Sequence, residues 1–154
     1  MRKIELFAVC LCAAIVFVGC SGAKLPTEFV TGVVTLDGEP LADARIFFNP
    51  EGGGVPAVGH TDARGVYVIT AMQGGGQGAG TVAGEYAVTF SKPHIVPHER
   101  IPDSYVTHQL LPLVYIDPAQ TPFHATVVKG KNHFDFALES KPAIQFVPPP
   151  GFRR

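Results

Sequence analysis

Apolar positions along this chain recur at period two, in short runs cut by glycine, proline and aspartate. In residues 29–36, Val30, Gly32, Val34 and Leu36 fall on one side and Thr31, Val33 and Thr35 on the other. That alternation marks a half-buried strand. Asp37-Gly38 then turns the chain, because glycine takes positive φ at no steric cost. The pattern resumes over 43–49, with Ala44, Ile46 and Phe48 set against Asp43, Arg45 and Phe47. Further strands are predicted at 57–61, 66–71 and 84–91. Asp62-Ala63-Arg64-Gly65 joins the third and fourth into a hairpin in which Tyr67 and Ile69 share a face opposite Val66 and Val68. In the fifth, Tyr86, Val88 and Phe90 alternate with Glu85, Ala87 and Thr89. Two last strands, 123–129 and 132–139, flank the turn Lys129-Gly130-Lys131-Asn132, with Phe134, Phe136 and Leu138 pointing inward. The expectation is an all-β fold, a seven-stranded antiparallel β-sandwich, with Val34, Ile46, Phe136 and Leu138 in its core.

Two stretches leave the pattern. Residues 74–80 read Gly-Gly-Gly-Gln-Gly-Ala-Gly. A phosphate-binding loop would need Gly-Lys-Ser/Thr leading into a helix, whereas a strand beginning at Gly84 follows, so a flexible surface loop is expected. The second is the long connection between strands five and six, residues 92–122, which holds Pro93, Pro97, Pro102, Pro112, Pro118 and Pro122. Proline at this density opposes a long helix and a central strand alike. Leu110, Leu111, Leu113, Val114, Tyr115 and Ile116 are too apolar for disorder, so the segment is expected to pack across a sheet edge with one helical turn. Connections of this length tend to be functional. It also carries the side chains best suited to contacts: His94, His98, Glu99, Arg100, Asp103, Tyr105, His108 and Tyr115 form the candidate binding loop.

Composition narrows the functional classes. A chain of 154 residues with 46% hydrophobic content suits one domain, and 17 glycines with 14 prolines favour strands and turns. The formal net charge of -1, without a basic patch, points away from a nucleic-acid partner. All three cysteines, Cys10, Cys12 and Cys20, precede the first strand, so the folded part has no disulfide framework and no cysteine-based zinc site.

The start of the chain reads as an address. Arg2 and Lys3 precede an apolar run from Leu6 to Val18, too short to span a bilayer and suited to a signal-peptide core. Val18-Gly19-Cys20-Ser21 resembles a bacterial lipobox, with Phe17 where leucine is usual. The resemblance implies removal of residues 1–19 and acylation of Cys20, which would hold the protein to a membrane. Ser21 in place of aspartate resembles the outer-membrane sorting pattern, so the expected location is the cell envelope, lipid-anchored at the outer membrane. A tether over 20–28 would keep the domain within roughly 26–29 Å of that surface. The domain itself is expected over 29–140, and 141–154, with Pro148-Pro149-Pro150, is expected to be an extended tail.

Residues 30–46 (VTGVVTLDGEPLADARI), then Thr61-Asp62-Ala63-Arg64-Gly65-Val66-Tyr67, then Gly84-Glu85-Tyr86-Ala87-Val88, resemble the carboxypeptidase regulatory-like domain. That resemblance covers about residues 29–139. It implies a transthyretin-like, prealbumin-type sandwich and a non-catalytic accessory role, with no cofactor. Peptidase activity is not implied, since the regulatory domain carries no zinc site. Together with the lipobox it resembles small bacterial lipoproteins with no assigned activity, and the expected partner is an envelope protein or polysaccharide.

Catalytic residues are not expected. Ser21, Ser91, Ser104 and Ser140 lie in no Gly-x-Ser-x-Gly elbow, and Asp103, Ser104 and His108 form a triad only on paper. The chain ends Gly151-Phe152-Arg153-Arg154, unlike the Tyr-Arg-Gly-Ser of the transthyretin-like hydroxyisourate hydrolases. The alternative function is metal binding through the loop histidines, although Pro97 opposes a helix that would put His94 and His98 on one face. His60, His124 and His133 fall on outward strand positions.

Overall fold

A computed structural model describes residues 26–73 and 79–149. Residues 1–19, Cys20 and the glycines of 74–78 lie outside the described residues. The fold is all-β, with two five-stranded sheets around one core and a separate two-stranded sheet, consistent with a β-sandwich. Twelve strand segments are present among the described residues, not seven: β1 (Phe29–Leu36), β2 (Glu39–Pro40), β3 (Arg45–Pro50), β4 (Ala57–His60), β5 (Val66–Val68), β6 (Thr70–Ala71), β7 (Gly84–Ser91), β8 (Pro93–Pro97), β9 (Tyr105–Gln109), β10 (His124–Val127), β11 (Lys131–His133) and β12 (Phe136–Leu138).

β1 is the axis of the first sheet. On one side it pairs antiparallel with β2 and β5. On the other it pairs with β11 and β12, and both pairings are parallel. This corrects the purely antiparallel expectation. The turn at Gly130, with φ 109°, carries the chain from one sheet to the other: β10 belongs to the second sheet and β11 to the first. Asn132 secures that crossing, since its Nδ2 donates to the Val128 carbonyl at 2.8 Å and its Oδ1 accepts the Val128 N–H at 2.9 Å.

Between β11 and β12 the chain passes through Phe134 and Asp135 with no change of register, since Thr31 faces His133 and Val34 faces Phe136. Phe134 N–H donates to the Thr31 carbonyl at 3.0 Å, and Val33 N–H donates to Asp135 Oδ1 at 2.8 Å. The Phe134 carbonyl accepts the Tyr67 hydroxyl at 2.7 Å. Burial, and then the charge of Asp135, push the Tyr67 hydroxyl far above the ordinary tyrosine range, so it stays a donor.

The second sheet runs β10-β7-β3-β4-β6, antiparallel throughout. Side chains from both sheets meet in one core. Val30, Val34, Ile46, Phe48, Val88 and Phe90 are fully buried, with Phe136 and Leu138 nearly so, as the alternation predicts. Phe136 lies at the centre of the aromatic contacts, its ring 5.3 Å from Phe90, 5.6 Å from Phe123 and 6.2 Å from Tyr67. Tyr115 is buried too, 3% exposed. Its ring packs 5.5 Å from Phe123 and its hydroxyl accepts the Glu139 N–H. It closes a 3-10 turn (Leu113–Tyr115), which supplies the expected helical turn and removes Tyr115 from the candidate binding residues. Of the expected extended tail, residues 150–154 lie outside the described residues; within 141–149, Phe146 packs on the core, and Gln120 and Val147 exchange two hydrogen bonds of 2.7 and 2.8 Å.

The two ends of the molecule differ. Phe29 pairs with Lys131, Glu28 with Thr81, and Val127 with Gly84, so the chain enters where β7 starts and β10 finishes. At the other end Leu36 pairs with Leu138 and Arg45 with Ser91. From that far end, immediately after Ser91, the proline-rich segment departs.

Candidate functional site

The proline-rich segment contains strands after all. β8 and β9 form an antiparallel hairpin that pairs Pro93 with Gln109, His94 with His108, Ile95 with Thr107, Val96 with Val106 and Pro97 with Tyr105. Among the described residues neither strand pairs with any other. The prolines are tolerated because of where they fall. Leu110 N–H donates to the Lys92 carbonyl at 3.0 Å and His98 N–H to the Ser104 carbonyl at 2.8 Å. In an antiparallel pair such bonds recur at every second residue, so positions 92, 94, 96 and 98 bond inward and 93, 95 and 97 point outward. Pro93 and Pro97 both occupy outward positions, where a missing N–H breaks no bond of the hairpin.

The same parity sorts the side chains. One face carries His94, Val96, His98, Val106 and His108. The other carries Ile95, Tyr105, Thr107 and Gln109. Ile95 is 62% exposed, Tyr105 67% and Ile101, at the tip, 54%. Val96, His98, Val106 and His108 of the first face line a shallow groove of about 630 Å³ together with Pro97, Glu99 and Arg100 at the tip. At the tip, His98 Nδ1 accepts the N–H groups of Arg100 at 3.1 Å and Ile101 at 3.2 Å. Asp103 takes φ 57° there, a left-handed conformation that aspartate tolerates. The base is held by Lys92, whose Nζ donates to the Ala42 carbonyl at 2.7 Å, and by Ser91 Oγ, which donates to Gln109 Oε1 at 3.2 Å.

Seven of the eight predicted binding residues therefore belong to one element: His94, His98, Glu99, Arg100, Asp103, Tyr105 and His108. They do not converge on a point. His94 and His108 face each other across the strands. His98 lies four residues from His94, roughly 13 Å along an extended strand. With its Nδ1 accepting two backbone donors, the neutral His98 ring carries its proton on Nε2, which leaves no lone pair there for a metal. Among the described residues no group of three or more histidine, cysteine or acidic side chains could hold a metal ion. Ser104 and His108 are likewise separated by about 13 Å of strand, so they form no triad with Asp103.

Ile95, Thr107 and Gln109 were missed as surface-forming residues because the prolines were read as breakers. Their spacing was the available signal, since Pro93, Ile95 and Pro97 share one parity. Elsewhere, exposed His124 pairs with Glu51 at 2.6 Å and exposed His133 with Asp135 at 3.0 Å. His60 is exposed as well.

No family model matches the chain, and no curated protein does. Among solved structures, a 9R-lipoxygenase from Cyanothece PCC8801 is similar over 74% of this chain at 12% identity, with a TM-score of 0.39. The chain spans only 16% of that protein's length, and the likeness carries no argument about activity.

Proposed function

We propose that this protein is a lipid-anchored lipoprotein of the cell envelope and works as a non-catalytic binding module, with the β8–β9 hairpin as its contact element. The hairpin is the observation that carries the reading. An isolated two-stranded ribbon is marginal in water, yet this one leaves the sandwich and displays Ile95, Ile101 and Tyr105 to solvent. It departs from the end opposite the one where the chain enters. Acylation at Cys20 would hold the entry end to the outer membrane, and the hairpin would then face away from the lipid. The resemblance of residues 29–139 to carboxypeptidase regulatory-like, transthyretin-like domains supports an accessory role of this kind. The partner is an envelope protein or polysaccharide.

Two measurements test this. Mass spectrometry of the mature N-terminus is expected to find an acylated Cys20; an intact Met1, or a terminus at Ser21 or beyond, refutes the anchor. For the contact element, residues 94–108 are replaced by a short Gly-Ser linker that spares the apolar 110–116 segment. The variant is expected to keep its near-UV circular dichroism and melting transition and to lose its cross-linked partner in cells. Unfolding of the domain, or retention of every partner, refutes the hairpin as the contact element.

A further inference from the structure

We infer that the outer edge of β9 is a self-pairing surface and that its partner is a second copy of this chain. The inference rests on the hairpin being the contact element, and it is independent of the lipid.

The two edges of the hairpin are chemically unlike. On β8 the outward positions are Pro93, Ile95 and Pro97, so a single N–H is available there. On β9 they are Tyr105, Thr107 and Gln109, each with a free N–H and C=O, and among the described residues no strand covers them. Edges are ordinarily blunted by charge or by proline. β8 carries two prolines; β9, Tyr-Val-Thr-His-Gln, carries neither proline nor any lysine, arginine, aspartate or glutamate. Tyrosine, valine and threonine also favour extended pairing. One edge is closed to addition and the other left open.

The open edge complements itself. Antiparallel pairing about a two-fold axis at Thr107 sets Thr107 opposite Thr107 of the second copy, Tyr105 opposite Gln109, and Val106 opposite His108. The outward groups of Tyr105, Thr107 and Gln109 then form about six backbone hydrogen bonds. No like charges meet, and threonine opposite threonine is a favourable cross-strand pair. The result is a four-stranded sheet with β9 and its copy at the centre. On one face Ile95, Thr107 and their symmetry mates form a continuous row. Both outer edges of that sheet are β8, with Pro93 and Pro97, so addition stops at two chains and a closed two-fold dimer results. Because the hairpins run antiparallel, the two sandwiches lie at opposite ends of the shared sheet and do not compete for space.

Sedimentation equilibrium of the purified full chain, in detergent matched to the solvent density, tests the pairing. The protein mass is expected to rise from one chain to two with concentration. Thr107→Pro removes an N–H that the hairpin itself does not use, so this variant is expected to stay at one chain with unchanged near-UV circular dichroism. Ile95→Pro, on the already blunted edge, is expected to associate like wild type. As a second readout, Thr107→Cys in a background with Cys10, Cys12 and Cys20 changed to serine is expected to give a disulfide-linked dimer on oxidation, since facing Cα atoms lie about 5.5 Å apart. A chain that remains single at every concentration, or a dimer that survives Thr107→Pro, overturns the inference. A single chain that still loses a cross-linked partner when residues 94–108 are replaced overturns the self-pairing and leaves the contact element standing. Cross-links from position 107 to a chain of different mass overturn it in the same way.

Discussion

Gly32→Ala is a one-carbon change that tests how the last strand returns along β1. The added Cβ would stand 1.8 Å from the Phe134 carbonyl oxygen and 2.6 Å from its carbon. Both are backbone atoms, so the strand must move by more than about 1 Å in an interior that packs as densely as a crystal. Overpacking of this kind costs about 1–3 kcal/mol. The displaced carbonyl is also the acceptor for Tyr67, at 2.7 Å, and a buried hydroxyl left without a partner costs about 1–3 kcal/mol more. Together the loss is roughly 2–6 kcal/mol, against a total stability of about 5–15 kcal/mol for a domain. The matched control is Gly52→Ala, whose Cβ meets nothing within 4 Å; there the smaller unfolded-state entropy is expected to stabilise by about 0.4–1 kcal/mol. Urea denaturation should show the midpoint falling for the first variant and holding or rising for the second, with little change in slope. Combining Gly32→Ala with Tyr67→Phe should cost less than the sum of the two, because both remove the same hydrogen bond. If Gly32→Ala melts with or above Gly52→Ala, Phe134 does not approach β1 as described, and the parallel return of the chain is wrong.

The remaining predictions concern register and acid. Ile46→Ala and Leu138→Ala should each cost about 2–5 kcal/mol, and Thr35→Ala, on the outer face of β1, about 0.5 kcal/mol or less. Thermal melts that rank Thr35→Ala as the worst of the three would put the strand one residue out of register. Asp37 accepts the Ser140 N–H at 2.9 Å, and this bond, then the Ser140 side chain and Lys141, lowers its pKa from the ordinary 3.8. Asp62 is lowered from the same value, first by the Val66 N–H and then by Arg64. A carboxylate whose folded pKa lies below its unfolded value contributes stability above 3.8 and loses it as pH falls through the folded value. Asp37→Asn and Asp62→Asn should therefore be less stable than wild type at neutral pH, with the gap closing below 3.8; a gap that persists in acid means that the charge is not what stabilises these turns.

How much of this was legible in the sequence depends on which property is asked for. Period-two alternation reports the face a residue occupies, and it placed Val30, Val34, Ile46, Phe48, Phe136 and Leu138 inside. The limits of β1 and β7 also follow from it, because turn residues bracket both runs. Alternation does not report which strand is the neighbour. Lys129-Gly130-Lys131-Asn132 has the composition of a hairpin turn, but it carries the chain across to the other sheet, and nothing local distinguishes the two outcomes. The bonding partners of Asn132 and the parallel pairing of β11 with β1 are long-range facts. Tyr115 misled for a related reason. A tyrosine among prolines and polar residues resembles a contact residue, whereas its burial comes from Phe123 and β12, which the local sequence does not show.

The prolines of the 92–122 segment show how composition and position can give opposite readings. Counted, they oppose a long helix and a central strand. Read by parity, Pro93 and Pro97 fall two strand repeats apart, where a strand that bonds only through its alternate residues loses nothing. A proline at 94 or 96 would have broken the hairpin, because those residues bond inward. The same placement strips β8 of donors on its free side and leaves the unprotected donors on β9, beside the exposed Ile95 and Tyr105. The prolines thus shape the β8–β9 ribbon twice, first by falling where they break none of its bonds and then by choosing which of its edges stays open.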